Sequence, residues 1–256
     1  MSILFNLTYF SFLICGLAAA LAVFYFLTQI PHLQGRLRIL AILNIVICTV
    51  SCVLHLYFFT RLQILANASP SITEMAAAIR ELPLIVRYGY WLGTTALLIV
   101  MFPLLIGPEH VGSRFALWLV LIDACMIMTG YLGEYSAQDV DGIPWDTFAW
   151  FTVSGLLWLA MTVSIFWVLR RLPSERLIPA QRDALVYMFF FFLIGWAIFP
   201  AGFFYAIVFE TSVGVVLREL TVNIGDIVNK VMWGVLVVYA AREIVKANRL
   251  DAALKQ

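Results

Sequence analysis

Lys230 and Asp226 lie four residues apart inside one long apolar run, and that spacing puts both side chains on one face of a helix. A lysine amine is a nucleophile toward a carbonyl carbon, and the Schiff base it forms keeps its proton only where an anion stands nearby. Lys230 lies between Gly214 and Arg242, roughly 18 Å or more from either end of its run at ~1.5 Å per residue, beyond the reach of a snorkelling side chain. A charge at the centre of a membrane helix costs about 2.5–3.5 kcal/mol on insertion scales. A buried ion pair that merely holds helices together is the structural alternative, but an apolar pair would usually serve as well. Arg87 is the second basic residue inside an apolar run, three residues before Tyr90.

The elements that must position these groups are long and apolar. The 256 residues are 63% hydrophobic and 12% charged, with a mean hydropathy of +0.97, about half the charged fraction of a soluble domain. Seven apolar runs, at roughly 3–29, 36–60, 82–106, 114–135, 146–170, 183–209 and 214–241, each exceed the ~20 residues that cross a bilayer. Backbone groups in hydrocarbon must be satisfied within each run, so the runs are expected to be helices of one seven-helix, all-α membrane domain covering 1–256. The connection 61–81 has room for a short hairpin or helix. The first run lacks a basic n-region and a small-residue cleavage site, and is expected to be a retained helix. Arg36, Arg38, Arg114, Arg170, Arg171, Arg176, Arg182, Arg242, Lys246, Arg249 and Lys255 fall on one side, against Arg61, Arg80 and Arg218 on the other. That excess predicts a cytoplasmic C-terminus and an outside N-terminus, in the plasma membrane. Cys15, Cys48, Cys52 and Cys125 are read as buried free thiols, with no disulfide or metal spacing. A net charge of +1 gives no argument for nucleic acid.

Four stretches resemble the microbial rhodopsins, in the proteorhodopsin and xanthorhodopsin branch. Asn223-Ile-Gly-Asp226-Ile-Val-Asn229-Lys230 resembles the family's retinal-attachment helix. The third run, Arg87-Tyr88-Gly89-Tyr90-Trp91-Leu92-Gly93-Thr94-Thr95, resembles R-Y-x-D-W-L-x-T. In the sixth, Trp196-Ala-Ile-Phe199-Pro200 is similar to W-x-x-Y-P. In the fourth, Asp123, Met126, Gly130 and Gly133 stand at the family's spacing. The resemblance implies all-trans retinal bound covalently to Lys230, with Asp226 as counterion. It implies a pocket in which Trp91 and Trp196 sandwich the polyene and Thr95, Met126, Gly130, Ser154, Trp158, Phe199 and Phe203 complete the wall. It pairs Thr95 with Asp123 and sets His55 near the photoactive site. Phe151 fills a position that is glycine in relatives carrying an antenna carotenoid, which argues against a second pigment here.

The departures from the pattern bear on function. Proton-pumping relatives have a carboxylate where this chain has Tyr90, and a proton donor where it has Met101; the signature is Tyr90, Thr94, Met101. Asp226 is then the one obvious carboxylate on that face, with Arg87 competing for it, and the Schiff base is expected to give up its proton more readily. The tyrosines that support the matching aspartate in relatives fall at Leu56 and Phe199, which donate nothing, so Tyr90 is expected to donate to Asp226 instead. The reading that follows is a photoreceptor or photochromic protein, not an enzyme, with little outward proton pumping and a signalling partner in another chain. A light-driven proton or anion pump with an unusual counterion is the alternative, and a non-photoactive seven-helix protein a third. Relatives form trimers or pentamers.

Overall fold

The structure, a computed structural model, describes residues 3–66, 71–137, 144–173, 177–208 and 211–254. Arg176 and Lys255, two of the basic residues used for orientation, lie outside them, as does the side chain of Phe203. The described residues form α1 (Ile3–Gln29), α2 (Gly35–Ala66), α3 (Ile72–Arg80), α4 (Leu84–Ile106), α5 (Ser113–Ser136), α6 (Trp145–Arg171), α7 (Pro179–Phe190), α8 (Ile198–Val208), α9 (Ser212–Asp226) and α10 (Trp233–Leu254), with no strand among them. Among the described residues, seven helical spans are long and apolar enough to cross a membrane. Consecutive spans pack side by side, and α9 returns against α1, which closes the ring.

Apolar side chains point both ways. Phe26, Ile99, Phe102, Met188, Phe192 and Trp233 are fully enclosed, while Leu156, Phe166 and Trp167 of α6 stand outward. An outward surface of this kind is stable in lipid, not in water. At the end of α6, Arg170 lies 5.7 Å over the Phe166 ring and Arg171 5.6 Å over the Trp167 ring, as interfacial cations and aromatics do.

Three details of the runs have identifiable causes. The 61–81 connection holds α3, opened by a capping box in which the Ser71 hydroxyl accepts from Glu74 N–H and the Glu74 carboxylate accepts from Ser71 N–H. Met75, Ala76 and Ile79 of α3 pack on Phe5, Phe58, Leu62 and Val216, so α3 closes one end of the bundle. The sixth run is not one unbroken helix: a π-helical turn covers Phe191–Gly195, and α8 starts only at Ile198. Pro200 has no N–H for the Trp196 carbonyl, which instead accepts from Phe199 N–H at 3.2 Å. The seventh run reaches Leu254 and carries a π-helical turn, Ile227–Met232, around Lys230. There the Asn229 amide donates to the Gly225 and Gly195 carbonyls, both at 2.9 Å, and so ties the two irregular turns together.

The thiols are free, but not all are buried: Cys125 is exposed on α5 and Cys52 half-buried on α2. A small apolar side chain facing lipid carries no penalty.

Candidate functional site

Lys230 is 1% exposed and Asp226 3% exposed, so neither charge is relieved by solvent. Helical spacing brings them together, and the Lys230 ammonium pairs with Asp226 Oδ1. The other carboxylate oxygen gathers two further groups. The Tyr90 hydroxyl on α4 lies 3.0 Å from Asp226 Oδ2 and 2.9 Å from the Ser51 hydroxyl on α2. His55 Nε2, also on α2, lies 3.3 Å from Asp226 Oδ2. His55 Nδ1 is 2.8 Å from the Ser51 backbone carbonyl. A carbonyl only accepts, so that bond puts a proton on Nδ1. Nε2 is the ring nitrogen left facing the carboxylate. Tyr90 has one proton, which serves the carboxylate while Ser51 donates to its oxygen.

From the Lys230 nitrogen the interior opens along aromatic rings. The nitrogen sits 4.6 Å from the centre of the Tyr90 ring and 5.7 Å from that of Phe199. Phe199 in turn lines a cavity with Trp91, Thr95, Met126, Gly130, Ser154, Trp158 and Trp196. The Trp91 and Phe199 rings meet edge to face at 5.2 Å. The Thr95 hydroxyl bridges the Trp91 carbonyl at 2.7 Å and Asp123 Oδ2 at 2.8 Å, which joins α4 to α5. Thr94 turns inward and donates to the Tyr90 carbonyl at 2.8 Å. The Ser154 hydroxyl donates to the Met126 carbonyl at 2.9 Å.

The sequence-predicted wall residues thus share one cavity, Phe203 apart, while Lys230 is not among the residues that line it and lies behind the Tyr90 and Phe199 rings. Tyr90 and His55 reach the carboxylate, and Tyr90 meets it as expected. Arg87 does not compete for Asp226. Its guanidinium makes a two-pronged pair with Glu219, Nη1 to Oε1 and Nη2 to Oε2, each 2.8 Å. Asp226 is therefore not the one carboxylate on its face. Glu219 precedes it by seven residues, two helical turns, a spacing that could have flagged it. Nor are Arg87 and Lys230 the only basic groups within the spans. Arg218 lies inside α9, Nε 3.0 Å from Glu219 Oε1, and pairs with Glu134. Tyr88 donates to the other Glu134 oxygen at 2.9 Å. Ser51 was missed as well; it stands one turn before His55, where only knowledge of helix packing turns it toward Tyr90. Leu56, at one of the positions where relatives carry a tyrosine, packs toward Gly16 on α1.

Residues 6–244 match the bacteriorhodopsin-like protein family. A green-light absorbing proteorhodopsin from Gamma-proteobacterium EBAC31A08 is 27% identical over 158 residues, 60% of this chain, and the chain spans 60% of the length of that curated relative. The crystal structure of Exiguobacterium sibiricum rhodopsin superposes with a TM-score of 0.81 at 27% identity, covering 96% of this chain and 99% of that one. Xanthorhodopsin superposes with a TM-score of 0.77 at 18% identity over 96% of each chain. With nearly the whole sequence inside the family match and the fold shared from end to end, the protein belongs to the bacteriorhodopsin-like family, the microbial rhodopsins.

Proposed function

We propose that this protein is a light-activated membrane protein carrying all-trans retinal on Lys230, with Asp226 as counterion, and that it works as a photoreceptor or photochromic protein with little outward proton pumping. Members of the family bind retinal covalently through a lysine. The chain has three lysines; Lys246 is exposed and bonded to Glu243, Lys255 lies outside the described residues, and Lys230 is enclosed beside an acid.

The residues fit the group. The cavity is walled by Trp91, Trp158 and Trp196 and by Met126, a lining that suits a long apolar polyene. Gly130 lines the same cavity without adding a side chain to it. When bound, retinal supplies the absorption of visible light and a change of shape on isomerisation.

The observation that carries the reading is the partner set of Asp226. Lys230, Tyr90 and His55 all converge on this one carboxylate, and the residue on α4 that meets it is a phenol donating a proton, not an acid waiting for one. Among the described residues the fully buried acids are Asp123, Glu219 and Asp226. None lies beside Met101, which is wholly enclosed against Phe102 and the Asn44 amide. A proton leaving the Lys230 nitrogen toward Asp226 has no acid on that side to replace it, which favours slow recovery over vectorial turnover.

A proton pump is the second reading, favoured by His55. With Nε2 3.3 Å from Asp226 Oδ2, the pair is a candidate acceptor that does not need an α4 carboxylate. Xanthorhodopsin is described as a light-driven ion pump with dual chromophore, so the fold accommodates that role.

The test is addition of all-trans retinal to the purified protein, followed by borohydride reduction and peptide mapping. Visible absorption and a retinyl adduct on the Lys230 peptide support attachment; a colourless protein with native-like folding contradicts it. Light-driven acidification that disappears in His55→Phe would decide for the second reading.

A further inference from the structure

The side of the interior closed by α3 holds four charges that the proposed photochemistry does not use. Glu219 is 1% exposed and takes the Arg87 guanidinium with both oxygens. Arg218 joins Glu219 to Glu134. Two acids match two arginines, so the cluster is neutral within itself. Arg87 and Asp226 nonetheless face one another across a small cavity lined also by His55, Tyr90, Glu219 and Asn223, yet make no ion pair. Arg87 also stands on the same face of α4 as Tyr90, whose hydroxyl does reach Asp226.

We propose that Glu219 is a positioning residue: by holding the Arg87 guanidinium in a two-pronged pair it keeps that cation off Asp226, and so reserves Asp226 for the Lys230 nitrogen. The inference rests on the retinal reading only in that Lys230 is taken to carry the chromophore. The fork of a guanidinium matches a carboxylate in one orientation, so the pair fixes direction as well as distance. Neutralising Glu219 leaves Arg87 two carboxylates that share a cavity with it, Glu134 and Asp226; Glu134 is already held by Arg218 and Tyr88, so Asp226 is the one open to it. Arginine there would share the negative charge that otherwise balances the protonated Lys230 nitrogen. The counter-charge stabilises the chromophore's ground state, with its positive charge at the Lys230 nitrogen, more than the charge-shifted excited state, so weakening it narrows the gap and moves absorption to longer wavelength.

The test uses the full chain as native protein, Glu219→Gln, Arg87→Gln and the double variant. The retinal-free protein gives the infrared carboxylate band of Asp226, assigned by its loss in Asp226→Asn. The retinal-loaded protein gives the absorption maximum. We expect Glu219→Gln to displace the Asp226 band and to shift absorption to longer wavelength, and to do neither when residue 87 is already glutamine. No displacement with Arg87 present, or the same displacement with Arg87 removed, overturns the proposal. Should Glu219→Gln fail to fold, Glu219→Asp, one methylene shorter, is expected to give smaller changes in the same direction, and unchanged spectra would overturn the proposal equally. If no pigment forms in any version, the retinal reading fails while the infrared band still decides this one.

Discussion

The two halves of the bundle interior are built from opposite materials. Toward α3 the core is charged: Arg87, Glu219, Arg218, Glu134, His55 and Asp226 are tied by ion pairs and hydrogen bonds. Toward the C-terminal tail it is apolar, with Leu98, Met101, Phe102, Phe192 and Trp233 in one cluster and the Asn44 amide as a rare polar group. Lys230 sits at the boundary. Burying charge is tolerated only where each charge is matched, and the α3 side meets that condition pair by pair. The tail side meets it by holding almost none. The contrast teaches that, on the proposed reading, a light-induced change at Lys230 has polar groups to disturb in one direction and a packed, apolar core in the other.

The sharpest way to break this picture is to remove the boundary. Lys230→Ala is expected to abolish visible absorption with retinal, and a pigment that survives would show that the amine is not the attachment point. Next comes an acid placed in the apolar half. Met101→Glu sets a carboxyl beside the Asn44 amide, and recovery of the dark spectrum after a flash should accelerate on the order of tenfold or more, as general acids do. Unchanged recovery would mean that the missing donor is not what limits return. Tyr90→Phe tests the charged half at its link to Asp226. Loss of one donor to a buried carboxylate should lower stability by about 1–3 kcal/mol and change the absorption maximum, read by thermal unfolding and spectroscopy. An unchanged spectrum would remove Tyr90 from the counterion.

The smallest effect lies outside the membrane. Arg36 holds Glu109 at 2.6 Å, and that hydrogen bond lowers the carboxyl below the usual carboxylate range. A carboxyl depressed in the folded state contributes stability above its unfolded pKa of ~4.3 and loses that contribution as pH falls through the folded value. The pair is exposed and screened, so Glu109→Gln should cost about 0.5 kcal/mol or less at neutral pH, a cost that vanishes as pH falls below the folded value. A difference in melting temperature that persists in acid would contradict the assignment. Gly107, at φ +108°, has Arg36 and Glu109 within 2.6 Å of where a Cβ would be, so alanine there should break the same bridge.

Hydropathy alone made the seven spans legible, because length and composition decide what crosses a bilayer. The Lys230–Asp226 pair was legible from an i, i+4 spacing, and the cavity wall from motifs on four helices. The irregular turns were not, because a π-turn follows from how one helix meets another: the bond from Asn229 to Gly195 crosses 34 residues of sequence. The partner of Arg87 was missed for the same reason. Glu219 and Asp226 were both within its reach on one face, and nothing in the spacing chooses between two acids; the fold does, by placing Glu219 at the height of Arg87. Arg218 read as a loop charge because its position near a run's edge hides that Glu134 waits across the bundle.

Illumination of cells expressing the retinal-loaded protein, with and without a protonophore, tests the claim that the tail half lacks a path for protons. We predict no sustained, protonophore-sensitive acidification of the medium while the pigment itself bleaches and recovers. Steady acidification abolished by protonophore would show protons crossing the apolar half and contradict the account.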